Sequence, residues 1–202
     1  MKKIFSLLVG LVLLPLSINA ADFKEGTNYE VIKQTATEKP EVLEFFSFYC
    51  PHCFKFEPLM KKLAEDLPAD VTIKKNHVNF LGGAMGAEIT KAYAAADLLN
   101  VKEEVSSIIF DQIHTQRKAI NDEDDILAIF VKAGVSEEEA KAALASFPVS
   151  GMASQMKRNT ENFKVRGVPT LIVNGKYKVN TGSVKSVEEF TELVTFLTKK
   201  TD

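Results

Sequence analysis

The chain has 202 residues, with 25 basic and 27 acidic side chains and a formal net charge of −2. That balance excludes the basic footprint of a nucleic-acid binder, and an apolar content of 46% is ample for a core.

The first residues, "MKKIFSLLVGLVLLPLSINAADF", combine Lys2 and Lys3 with an apolar run from Ile4 to Leu16 and a small residue, Ala20, at a cleavage point. The pattern predicts a secretory signal peptide over 1–20. Thirteen apolar-run residues with Pro15 among them are short for a membrane span, which needs about 20. Cleavage leaves 182 residues, and loss of the two lysines takes the net charge from −2 to −4. That length suits one large domain or a domain carrying an insertion. No later apolar run reaches spanning length, so the mature protein is expected to be soluble. Export also matters for the cysteines, because disulfides persist in oxidising compartments.

After a first short strand around "NYEVI", the stretch "EVLEFFSF" (41–48) is apolar almost without alternation, the mark of a strand buried on both faces. "PHCFKFEPLMKKLAEDL" then predicts a helix with Phe54, Leu59, Leu63 and Leu67 on its apolar side. Pro51 suits its first turn and Pro58 is a candidate kink. "DVTIKKNHVNF" (70–80) predicts another strand, through Val71, Ile73 and Val78. From Gly82-Gly83 to about Pro148 the chain is rich in Ala, Glu and Leu. Helical periods fall at 86–99, 102–115, 122–133 and 136–146, the last behind a Ser136/Glu139 capping box. "GMASQMKRNTENF" continues as helix, and "GVPTLIVNGKYKV" (167–179) predicts two strands around an Asn174-Gly175 turn. A second capping box opens a closing amphipathic helix over 186–200, with lysines in its last turn. The fold class is α/β, one sheet completed by both ends of the chain, with an all-helical insertion. The boundaries read as a first sheet part at 21–82, a helical insertion at 83–148 and a second sheet part at 149–202.

Both cysteines lie in "FYCPHCFKFEP" (48–58). A structural zinc site needs four N or S ligands, whereas His52 lies between the cysteines and His77 and His114 are far apart in sequence. Haem attachment needs C-x-x-C-H, and residue 54 is Phe. A structural staple would close a very short loop and gain little chain entropy. Redox chemistry explains more. Cys50 stands where a strand ends and a helix begins, so free N–H groups and the positive helix end favour a thiolate there. His52 adds to this if it is protonated or donates a hydrogen bond. Cys53, one turn further in, is expected to be less exposed and suited to resolving a mixed disulfide. A stabilised thiolate favours the reduced form, which makes the disulfide a strong oxidant.

Together, "FSFYCPHCFKFEP" and "RGVPTLIVNGKY" resemble the thioredoxin superfamily and, within it, the DsbA family of periplasmic dithiol oxidases. "NYEVI", "VLEFFSF", "CPHC", "HVNFLGG" and "VRGVPTLIVNGKY" follow that family's order over nearly all the mature chain. A depressed cysteine pKa is itself a known property of that family. The resemblance implies a thioredoxin-like fold with the helical insertion. It makes Cys50 the nucleophile, Cys53 its buried partner, and Pro51 and His52 the residues that tune them. It also makes Pro169 a cis-proline against the disulfide, and Val168 a source of backbone groups for a substrate strand. Thr170 occupies a variable family position. Glu44 interrupts a buried apolar run, and an isolated buried carboxylate must raise its pKa or find a partner; Lys75 and Glu57 are the candidates. The resemblance gathers all three under the active site, where Glu44 would move a proton to or from Cys53. His77 and His114 read as structural or solvated.

The function implied is donation of the Cys50–Cys53 disulfide to newly exported, unfolded proteins with free cysteines, in the periplasm. A membrane reoxidase of the DsbB type would restore the disulfide, and no metal or soluble cofactor is needed. A monomer is expected. Two alternatives stay open: a thioredoxin-like reductase or isomerase, and a non-catalytic, chaperone-type binder whose disulfide is structural.

Overall fold

The computed structural model describes residues 22–200, so the expected signal peptide at 1–20 lies outside the described residues. Five strands form one sheet in the order β1-β5-β4-β2-β3: β1 (Tyr29–Val31), β2 (Glu41–Phe46), β3 (Thr72–His77), β4 (Thr170–Val173) and β5 (Tyr177–Val179). Only β2 and β3 pair in parallel; the other neighbours are antiparallel. A parallel pair needs a crossover connection, and α1 (Pro51–Asp66) supplies it. Between β3 and β4 lie α2 (Met85–Leu98), α3 (Lys102–Phe110), a π-helical turn (Asp111–Thr115), α4 (Glu123–Lys132), α5 (Glu137–Leu144) and α6 (Phe147–Asn162). The last helix, α7 (Val187–Lys199), returns to the sheet against α1, β2 and β4.

The central strand decides what packs where. Strand residues alternate between faces, and Val42, Glu44 and Phe46 point to one side of β2 while Leu43 and Phe45 point to the other. Val42 joins a cluster with Leu63 of α1 and Phe190, Leu193 and Leu197 of α7. Leu43 and Phe45 pack with Val78, Ile172 and Phe163 behind the sheet. Phe46 enters a third cluster, shared with Phe48, both cysteines and the helices α2–α6. Each fully buried Leu or Phe in such clusters contributes about 1.5–3 kcal/mol.

Several local expectations need correction. Helix 102–115 is α-helical only to Phe110, then widens into the π turn. The helix expected from 151 begins at Phe147, because Ser146 caps it by accepting from Val149 N (3.4 Å) and Pro148 fits its first turn. Position 148 is therefore inside α6, whereas 82–83 is a two-glycine turn with φ of 86° and 57°. The strand expected over 41–48 stops at Phe46, and Val71 and Val78 flank β3 rather than belong to it. On α1 the buried residues are Cys53, Met60 and Leu63, with Leu67 at its C-cap and Phe54 and Leu59 only half-buried. That helix serves two clusters, so its apolar surface is not one stripe. It also runs through Pro58. The Ser136/Glu139 capping box is complete, but the second is half a box: Ser186 caps Glu189 N (3.1 Å), while the Glu189 carboxylate accepts from Lys185 N (2.7 Å). Asn174 and Gly175 both take left-handed φ, 51° and 68°, at the β4–β5 turn.

Candidate active site

Where β2 ends, Ser47 turns the chain. Its carbonyl accepts from Cys50 N (3.1 Å) and its hydroxyl from Tyr49 N (3.2 Å). Cys50 is the N-cap of α1, with extended φ −94° and ψ 114°. Pro51 follows in the first turn, where a missing N–H is harmless. The Cys50 side chain does not cap the helix; its Sγ donates to Val168 O at 3.4 Å. The helix end is thus beside the sulfur, but in this dithiol state the thiol is turned toward the Val168 loop. The Val168–Pro169 peptide bond is cis. Cys50 is 6% exposed and Cys53 is fully buried. Burial pushes the Cys53 thiol far up, against a backbone hydrogen bond at Ser47 that lowers it; the charges of Cys50 and Glu44 add to the rise.

Behind the cysteines, parallel pairing sets Glu44 opposite Lys75. Lys75 Nζ is 3.2 Å from Glu44 Oε2 and 2.5 Å from Glu57 Oε1. The first contact is within ion-pair range but off the hydrogen-bond direction, so both Glu44 oxygens are buried without a hydrogen-bond partner among the described residues. Desolvation dominates and raises Glu44 to about 7, with Lys75 pulling down and Glu57 pushing up. At Lys75 burial pulls down, yet Glu44 and Glu57 outweigh it and the net shift is upward.

The three histidines divide sharply. His52, in the first turn of α1, is exposed and makes no hydrogen bond or ion pair among the described residues. His77 is fully buried. Its Nε2 accepts from Phe48 N (3.2 Å), and because the Thr90 hydroxyl donates to Gly86 O (2.9 Å), His77 Nδ1 donates to Thr90 Oγ1 (2.8 Å). Burial lowers its pKa to about 3, so it is neutral. His114 comes from the π turn; its Nε2 donates to Phe48 O (2.7 Å) and its ring stacks on Phe54, 5.1 Å apart and 12° from parallel. Both backbone groups of Phe48, two residues before Cys50, are therefore held by imidazoles from different elements. Sequence reasoning left His114 without a task, since no periodicity signals a π turn.

Tyr49, just before Cys50, packs its ring over the turn at Gly82. A Cβ on Gly82 would stand 2.2 Å from that ring, and its φ of 86° also excludes most side chains. Among the described residues no group of three or more His, Cys, Asp or Glu side chains is arranged to hold a metal ion.

Comparison with known proteins agrees with this geometry. A family model described as a DSBA-like thioredoxin domain matches residues 41–193. The thiol:disulfide interchange protein DsbA of Pectobacterium carotovorum is 37% identical over 209 residues, covering 99% of this chain and 100% of the relative. The disulfide oxidoreductase DsbA of Proteus mirabilis superposes with a TM-score of 0.77 at 36% identity, covering 88% of this chain and 95% of the other. A complex of the same organism's DsbA with a non-covalently bound peptide, PWATCDS, gives 0.82 at 34% identity, covering 89% and 100%. A dithiol at the start of α1, facing a cis-proline loop on a five-stranded sheet, is the arrangement of a thiol:disulfide oxidoreductase, and the chain belongs to the DSBA-like thioredoxin domain family.

Proposed function

We propose that this oxidoreductase donates a Cys50–Cys53 disulfide to exported proteins, with Cys50 as the sulfur that joins the substrate. A substrate thiolate attacks Cys50 Sγ; the Cys50–Cys53 bond breaks as the mixed disulfide forms, and Cys53 leaves with the electron pair. A second substrate thiolate attacks the substrate sulfur, releases Cys50 as thiolate and carries away the new disulfide. Two electrons pass from two substrate thiols to the cysteine pair. The observation that carries the assignment is burial: Cys50 borders the Val168 loop, while Cys53 is sealed behind it.

Cys53, with its raised pKa, needs a proton when it leaves. Glu44, raised to about 7 and among the charges felt at Cys53, is the donor, with Lys75 and Glu57 setting its charge state. Pro51 starts the helix behind Cys50, and Pro169 and Val168 form the wall a substrate strand meets, pairing by strand addition. His52 tunes the pair from the solvent side. The signal-like residues 1–20 support a periplasmic location, and the protein acts as a monomer. The net electron balance calls for an external oxidant, for which the likeness to DsbA proteins supports a membrane reoxidase of the DsbB type. The sheet part carries the chemistry, and the helical insertion, extended through α6 to Asn162, covers it.

The test is equilibration of the purified protein with glutathione, followed by oxidation of a reduced, unfolded two-cysteine substrate. Wild type oxidises it and ends reduced, whereas Cys50→Ser does not. Oxidation that survives Cys50→Ser sinks the assignment.

A further inference from the structure

The loop that holds Val168 also carries charge. Because Val168 O accepts from Cys50 Sγ at 3.4 Å, any segment seated on this loop lies against the reactive sulfur. Beside it runs an open groove of about 440 Å³, formed by Phe163 to Thr170 and by Lys178 of β5. Phe163 and Val165 give it an apolar base, since both pack onto the cluster behind the sheet. Its charged residues are all cations, Lys164, Arg166 and Lys178, each exposed. Lys178 has a distant partner, Glu30 at 3.8 Å, but Lys164 and Arg166 have no ion-pair partner among the described residues. In a chain of net charge −2, a groove without a carboxylate is a local inversion of sign.

The backbone adds a second observation. Lys164 closes α6 with φ 51°: its N–H bonds Glu161 O and the next N–H, of Val165, bonds Thr160 O, both at 3.0 Å. This left-handed position favours Gly or Asn, yet it holds a lysine. Attraction to the helix C-terminus accounts for one cation in the last turn. It does not account for Arg166 further along the loop, or for Lys178 on another element.

We propose that this groove is a substrate subsite selecting carboxylate side chains two or three residues from the reacting cysteine. Arg166 stands two residues before Val168 on the same loop and lines the same groove, so a chain paired at Val168 passes it within a few residues of its reacting cysteine. The inference rests on the assignment of Cys50 as the sulfur that joins the substrate. Two exposed charge pairs of ordinary strength multiply kcat/KM by about three- to tenfold, and this gain disappears in about 1 M salt, where screening acts within about 3 Å.

The experiment uses two-cysteine peptides identical except for Asp or Asn placed two or three residues before or after the reacting cysteine. Their oxidation by the full-length oxidised protein is compared with their reaction with oxidised glutathione, which gives the peptides' own thiol reactivity. Wild type should prefer the Asp peptides by about three- to tenfold beyond that reference at low salt. The side carrying the preference gives the direction in which the substrate lies. In Lys164→Gln/Arg166→Gln, checked for an unchanged melting transition, the ratio should fall to the glutathione reference. An Asp/Asn ratio equal in wild type and double variant overturns the subsite. Failure of wild type to oxidise either peptide overturns instead the proposed disulfide donation beneath it.

Discussion

Two apolar clusters share one side of β2, with Glu44 between them: Val42 enters one and Phe46 the other. The Val42 cluster, with Leu63, Leu171, Phe190, Leu193 and Leu197, contains no carboxylate or imidazole. The Phe46 cluster holds both cysteines, and neutral His77 lies against its rings, 5.3 Å from Phe46 and 5.2 Å from Phe48. Each buried polar group left unpaired costs about 1–3 kcal/mol, and the two unpaired Glu44 oxygens stand at the border of the cluster that holds the cysteines.

The comparison can be broken at either end. The largest expected effect is on activity: Cys50→Ser or Cys53→Ser should reduce substrate oxidation to the uncatalysed rate, with a urea midpoint close to wild type. Next, Phe190→Ala in the purely apolar cluster should cost about 3–5 kcal/mol in urea unfolding, while the glutathione equilibrium of the cysteine pair stays in place. A displaced equilibrium would mean the clusters are not separable.

The border between them should show in pH. Glu44 is raised from 4.5 to about 7, so its contribution to stability is whole below pH 4.5 and is lost as pH rises to 7. His77 is lowered from 6.5 to about 3, so its contribution is present above pH 6.5 and is lost as pH falls toward 3. Between 4.5 and 6.5 the two slopes oppose each other and their contributions cancel. Glu44→Gln leaves His77 alone, and its stability should rise by about 2–3 kcal/mol over that window relative to wild type, at about 1.4 kcal/mol per pH unit. Parallel pH profiles of the two proteins would contradict the raised Glu44. The smallest effect belongs to His114→Leu, which strips the donor from Phe48 O at a cost of about 1 kcal/mol. His114→Gln, still able to donate, should recover most of it in the same unfolding assay.

Much of this arrangement was legible in the residues. An almost uninterrupted apolar run marked β2, and Glu44, as a charge inside that run, called for a raised pKa or a partner, with Lys75 and Glu57 as the candidates. What stayed hidden depends on contacts distant in sequence. His77 and His114 differ in neighbours, not in local pattern, and only the folded chain shows that one takes the N–H and the other the C=O of Phe48. His52, between the two cysteines in sequence, is exposed, so the tuning role proposed for it acts from the solvent side. Met60 was missed because α1 divides its apolar surface between two clusters.

The fit of Tyr49 over Gly82 has a consequence for how this chain can vary. Gly82 opens the connection from the sheet to the inserted helices, and Tyr49 is the residue before Cys50. The space an added carbon at 82 would need is already filled by the ring of 49. Drift in that connection is thus judged at the redox centre: an insertion free to change elsewhere is moored, at this one point, to the catalytic turn.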